Sequence, residues 1–128
     1  MARYLLDTTV LIDYLRGRQP VLDAIKSMAR DGHQLGVCCI NVAELHSRIR
    51  PSEEAPAVAL LDSLEYLPIS ISAAKRAGDW RYEMARHGVT VATADALVAA
   101  CAYEDGSIVM TGNVDDFPME GLQVLKQP

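Results

Sequence analysis

Short apolar runs alternate along this chain with longer stretches whose apolar residues recur at helical spacing. Residues 3–7 carry Tyr4-Leu5-Leu6 and read as a strand. Thr8 or Thr9 can cap a helix running to about Arg16, where Gly17 stops it. Val21, Leu22, Ile25, Met28 and Ala29 mark one face of a second helix, closed by Asp31-Gly32. Leu35–Ile40 is an unbroken apolar run, the pattern of a strand buried on both faces. Asn41 is placed to cap a helix over Val42–Arg50, and a polar turn at 51–54 leads into a helix ending near Leu64. Leu67–Ile71 reads as a short strand, and Ser72 as the cap of a long helix closed by His87-Gly88. A loop or short extension at 89–93 precedes a helix over Ala94–Glu104. Ser107–Thr111 and Leu122–Leu125 complete the set as strands.

Strands separated by helices of roughly 10–15 residues need crossover connections, which are right-handed and give parallel pairing. The pattern therefore predicts an α/β fold: a three-layer α/β/α sandwich around a mostly parallel central sheet. A length of 128 residues suits one domain over 1–128. Half of the residues are hydrophobic but few are aromatic, so the expected core is aliphatic. No apolar run approaches the ~18 residues of a membrane span. The N-terminus passes directly into a strand with no signal-peptide pattern, so a cytoplasmic location is the expectation.

Charge and cysteines narrow the chemistry. A net charge of −5 disfavours a broad phosphate-binding surface while permitting a small site neutralised by metal. Cys38, Cys39 and Cys101 form no Cys-x-x-Cys pair and have no matched His spacing, so a zinc site is not expected. All three are expected to be reduced core thiols. No Gly-x-Ser-x-Gly elbow and no Gly-rich phosphate loop is present. His33, His46 and His87 fall at turns or helix surfaces, and Trp80 stands alone, so no base-stacking platform is expected.

The acids are more informative. Asp7 ends the first strand, Glu44 lies in the first turn after the second, Asp95 opens the Ala-rich helix, and Asp116 follows the fourth strand and its turn. Strand ends of an open parallel sheet meet at one edge, the usual location of a site. Four carboxylates gathered there repel one another unless a cation joins them, and Mg²⁺ prefers carboxylate oxygen and water. Each acid alone also has a plain structural reading. Asp7 and Asp95 suit helix starts, Asn41 and Glu44 have the spacing of a capping box, and Asp116 suits a turn. The basic side chains Arg16 and Arg18 follow the helix that begins at Asp7 and are further candidates for function.

Taken together, Leu5-Leu6-Asp7-Thr8-Thr9-Val10-Leu11-Ile12, Val42-Ala43-Glu44-Leu45, Asp95-Ala96-Leu97-Val98-Ala99-Ala100 and Thr111-Gly112-Asn113 with Asp116-Phe117-Pro118 resemble a PIN domain. The closest type is the VapC ribonuclease toxin of bacterial toxin–antitoxin pairs. The resemblance implies an endoribonuclease dependent on Mg²⁺, with Mn²⁺ as the other candidate metal. It implies that Asp7, Glu44, Asp95 and Asp116 bind the metal and carry catalysis, with Thr9, Asn113 and Asp115 in support. It further implies an RNA substrate, a homodimer and a cognate VapB-type antitoxin. This chain departs from the family at Gly112, where a basic residue is frequent. A phosphatase-like Mg²⁺ hydrolase and a non-catalytic binding module of the same fold are the competing readings. The former wants an Asp-x-Asp motif that Asp7-Thr8-Thr9 lacks.

Overall fold

The computed structural model describes residues 1–128. Its strands are β1 (Arg3–Leu6), β2 (Gln34–Val37), β3 (Glu65–Tyr66), β4 (Ile108–Thr111) and β5 (Val124–Lys126). Its helices are α1 (Thr8–Leu15), α2 (Gln19–Arg30), α3 (Cys39–Arg48), α4 (Glu54–Asp62), α5 (Ile71–Arg86) and α6 (Thr93–Asp105), with short 3₁₀ turns at Pro51–Glu53 and Val114–Asp116. The strands form one five-stranded sheet in the order β3-β2-β1-β4-β5. All four pairings are parallel, as the crossover pattern predicted.

Side-chain alternation along the strands divides the core between the two faces of the sheet. Leu5 and Val109 point to the layer of α5 and α6, where Ala73, Ala77, Ala96, Ala99 and Ala100 allow close helix packing. Leu6, Val37 and Met110 point to the other layer and meet Val10, Leu11, Val21, Ile25, Leu45 and Leu60 from α1 to α4. The sandwich is therefore three-layered, with an aliphatic and alanine-rich interior. No helix is long and apolar enough to cross a membrane.

Three boundaries differ from those read in the sequence, each for a physical reason. The apolar run Leu35–Ile40 is not all strand: β2 stops at Val37, and Cys38, extended at φ −111° and ψ 173°, is the N-cap of α3. Asn41 is consequently the third residue of that helix rather than its cap. Leu67–Ile71 is not a strand either. Pro68 has no N–H to give a ladder, and the Ser70 hydroxyl accepts from the Ala73 amide at 3.0 Å, so Ile71 begins a helix. Ser70 therefore holds the capping role expected of Ser72. The edge strand β3 lies one step earlier, at Glu65–Tyr66, beside Gly36. A Cβ at Gly36 would stand 3.1 Å from the Glu65 carbonyl oxygen and the Leu67 side chain, so glycine is what lets the two strands approach. The thiols are not all buried: Cys38 and Cys101 are, but Cys39 turns outward on the first turn of α3.

In the order β3-β2-β1-β4-β5 the chain proceeds outward from β1 through β2 to β3, then returns to the other side of β1 with β4. The crevice beyond the carboxyl ends of β1 and β4 is the topological switch point, where open α/β sheets carry their sites.

Candidate metal centre

Asp7 emerges at that point. Its amide donates to the Met110 carbonyl at 2.9 Å, and its own carbonyl accepts from Val10 and Leu11 to start α1. It stands at the N-cap, yet its side chain makes no capping bond. Instead Oδ2 accepts from the Thr111 hydroxyl at 2.8 Å and Oδ1 from the Asn41 amide at 3.3 Å. Asp7 is 7% exposed, and Thr111 and Asn41 are fully enclosed. The simple capping role for Asp7 is thus replaced by a fixed carboxylate gripped from two sides.

Glu44 approaches from the adjacent helix. Because α3 starts at Cys39, Glu44 lies in its second turn rather than its first, and it is not the partner in a capping box. Asn41 holds that position, accepting from the Cys38 amide at 3.2 Å. The carboxylate of Glu44 is instead held by the Thr8 hydroxyl, which donates to Oε1 at 2.7 Å. Asp95 sits in the first turn of α6, where the helix dipole favours an anion. Asp116 ends the 3₁₀ turn after β4.

The four carboxylates share one electrostatic environment. Burial is the main reason that the Asp7 carboxyl is pushed above its ordinary range; the Thr111 hydrogen bond opposes the shift, and the charges of Glu44 and Asp116 add to it. Asp95 is pushed up to about 6, first by burial and then by the charges of Asp116, Asp7 and Glu44. None of the ion pairs in the molecule involves any of these four acids. Asp116, not Asp115, supplies the charge felt by Asp7 and Asp95.

The supporting residues divide. The Thr9 hydroxyl accepts from the Gly112 amide at 2.9 Å, tying the turn after β4 to the start of α1. Asn113 contributes its backbone, donating to the Thr111 hydroxyl at 3.0 Å. Arg16 pairs with Glu53 and Arg18 with Asp13, so both guanidinium groups are engaged away from the four acids. A surface recess of about 470 Å³ lies between α5 and α6 instead, lined by Lys75, Arg76, Trp80 and Glu104 among others.

Sequence reasoning missed three residues here. Thr111 was read only as part of a motif, Thr8 only as part of a motif and a possible helix cap, and Asn41 only as a cap. The available signal was a polar residue closing an apolar strand, as Thr111 closes Ile108–Met110.

No group of three or more Asp, Glu, His or Cys side chains is arranged as it stands to hold a metal ion. A hard divalent cation does not require such a cage: Mg²⁺ usually keeps several waters and takes only one or two carboxylates directly. The donor set here is all oxygen, and its negative charge is uncompensated. It fits a hydrated divalent cation of that kind.

The sequence from residue 4 to residue 118 matches the profile of the PIN domain. The chain belongs to the PIN-domain family. Among curated relatives, ribonuclease VapC10 of Mycobacterium tuberculosis is 34% identical over 124 residues, covering 97% of this chain and 91% of its own length. Among solved structures, VapBC2 of Rickettsia felis bound to a promoter DNA fragment superposes with a TM-score of 0.87 at 18% identity, covering 98% of this chain and 99% of the matched one. DNA-bound VapBC of Salmonella typhimurium gives 0.84 at 22% identity, with 98% of both chains covered. The PIN fold read from the sequence is therefore the fold observed, and the phosphatase-type sheet is set aside.

Proposed function

We propose that this PIN-domain protein is a metal-dependent endoribonuclease of the VapC type and the toxin of a toxin–antitoxin pair. What supports the reading is that Asp7 and Asp95 are both raised by burial and by the charges of the other acids, Glu44 and Asp116 included, while none of the four joins an ion pair. Its relatives named as VapC ribonucleases supply the substrate class, and the VapBC complexes of the same fold supply the partner class, a VapB-type antitoxin.

In this reading Asp7 and Asp95 hold a Mg²⁺ ion, with Mn²⁺ as an alternative, while Glu44 and Asp116 complete the negative environment directly or through water. A divalent cation held there would supply Lewis-acid polarisation of water and of the phosphodiester near neutral pH. The protein's own contribution is orientation. Thr111 and Asn41 keep Asp7 from rotating toward solvent, and Thr8 does the same for Glu44. The helix start at Asp95 favours its ionised form against the burial and the neighbouring charges that raise its pKa. Single-stranded or looped RNA suits the site better than duplex, whose backbone and bases are shielded.

The test is cleavage of RNA by the purified chain with Mg²⁺, with EDTA, and with an added antitoxin. Cleavage that needs the metal and stops with the antitoxin is the expected result. Hydrolysis of a phosphate monoester without RNA cleavage would support the phosphatase reading, and binding of RNA without any hydrolysis the non-catalytic one.

A further inference from the structure

We propose that Asn41 is a positioning residue for Asp7, setting the affinity of the site for its divalent cation; this rests on the metal-site reading above. Asn41 is fully enclosed, which is unusual for an amide whose only task is to cap a helix. Its orientation is determined by its neighbours. The Cys38 backbone N–H can only donate, so the group facing it is Oδ1, at 3.2 Å. The Cys38 thiol donates to the same oxygen at 3.2 Å. Nδ2 must then face Asp7 Oδ1, at 3.3 Å. A reversed amide would set an oxygen against a carboxylate and a donor against a donor.

The chemistry of the grip is selective. Each Asp7 oxygen receives one neutral donor, Asn41 on Oδ1 and Thr111 on Oδ2. A carboxylate oxygen has further lone-pair capacity, so both oxygens stay open to a cation. A lysine or arginine in the place of Asn41 would hold Asp7 equally well but would neutralise the site. Aspartate would give no donor, and leucine neither donor nor acceptor. Asn41 thus links the start of α3, which carries Glu44, to the end of β1, which carries Asp7. It holds the Asp7 carboxylate against α3 while leaving its charge for the ion.

Two neutral substitutions separate this role from capping. Asn41→Leu removes all three bonds. Asn41→Ser leaves an acceptor for the Cys38 amide but is too short to reach Asp7. Calorimetric titration of each full-length variant with Mn²⁺ is expected to show binding about 10–100-fold weaker than wild type. RNA cleavage is expected to recover as Mn²⁺ is raised, with KM for RNA unchanged. A folded Asn41→Ser protein with wild-type Mn²⁺ affinity would reduce Asn41 to a cap and overturn the proposal. An NMR titration of the unaltered protein checks it without mutation. The Asn41 side-chain amide signals must shift as Mg²⁺ saturates the site, and unmoved signals overturn the proposal. Asp7→Asn is the control for the underlying reading. If it binds Mn²⁺ as wild type does, or if wild type binds none, the metal site itself falls and the role of Asn41 with it. If Asp7→Asn loses binding while the Asn41 variants keep it, only the positioning falls.

Discussion

At the amino ends of the strands, Arg3 donates to Asp105 at 2.9 Å and to Glu65 at 3.0 Å, and contacts Gln34. Burial pushes the Asp105 carboxyl up, but hydrogen bonds from Arg3 and Ser107 outweigh it, and the group ends below its ordinary range. At the carboxyl ends of the same strands, Asp7 and Asp95 are partly or wholly enclosed with no cation, and both are raised. The residue types are alike at the two ends, and what separates them is the partner. One end spends its acids on joining β1 to β3 and the end of α6. The other keeps uncompensated charge, held in place only by the neutral groups Thr8, Asn41 and Thr111. Unpaired carboxylates raise the free energy of the folded protein, so their retention at one edge marks that edge for binding.

The contrast can be broken most severely at Asp7. Asp7→Asn is expected to reduce Mg²⁺-dependent RNA cleavage by about 10³-fold or more, the equivalent of the several kcal/mol a bound metal contributes to the transition state. Circular dichroism should show the fold intact. Removing one neutral support has a milder effect: Thr111→Val should cost about 10–100-fold in cleavage at limiting metal, read from a Mg²⁺ titration of the rate.

Stability should respond in opposite directions at the two ends. Asp95 holds its proton more tightly when folded, with a pKa of about 6 against an ordinary 3.8. Its favourable contribution is therefore complete below pH 3.8 and is lost as pH rises through 6. Asp95→Asn is expected to stabilise the metal-free protein at pH 7.5 by on the order of 1–2 kcal/mol, since the group is partly open to solvent. Urea denaturation in EDTA measures this, and the gain should vanish below about pH 4. Asp105 behaves in the reverse sense: its lowered pKa gives stability that is present above the ordinary aspartate value and lost as pH falls through the folded one. Arg3→Ala should lower the melting temperature slightly at pH 7, make no difference in strong acid, and leave RNA cleavage unchanged. An Arg3→Ala loss of cleavage would remove the distinction between the two ends.

The fold was legible wherever hydrophobic period and turn residues agreed. Gly17 and Asp31-Gly32 end α1 and α2 where the sequence suggested, and α6 ends within a residue of the expected Glu104, with Gly106 at φ +76° as its cap. The errors lay where a local signal competed with the apolar count. Cys38 is a rare helix cap, so a six-residue apolar run concealed the step from β2 into α3. Pro68 and Ser70 were punctuation inside what looked like a strand. For the site, the acids were visible because charged residues stand out at the ends of apolar runs. Thr8, Asn41 and Thr111 were not, because neutral hydrogen-bonding groups acquire meaning only from neighbours far away in the chain, as the 34 positions between Asn41 and Asp7 illustrate.

The strand order has a bearing on how the protein is made. β1 lies at the middle of the sheet, but β4, its neighbour on one side, leaves the ribosome only after β2 and β3. Thr111 ends it, Asp116 follows it, and Asp95 itself comes late. A nascent chain emerging as far as α4 carries Asp7 and Glu44 but neither of the other acids. Synthesis thus withholds the complete set of anions until residue 116 has been added.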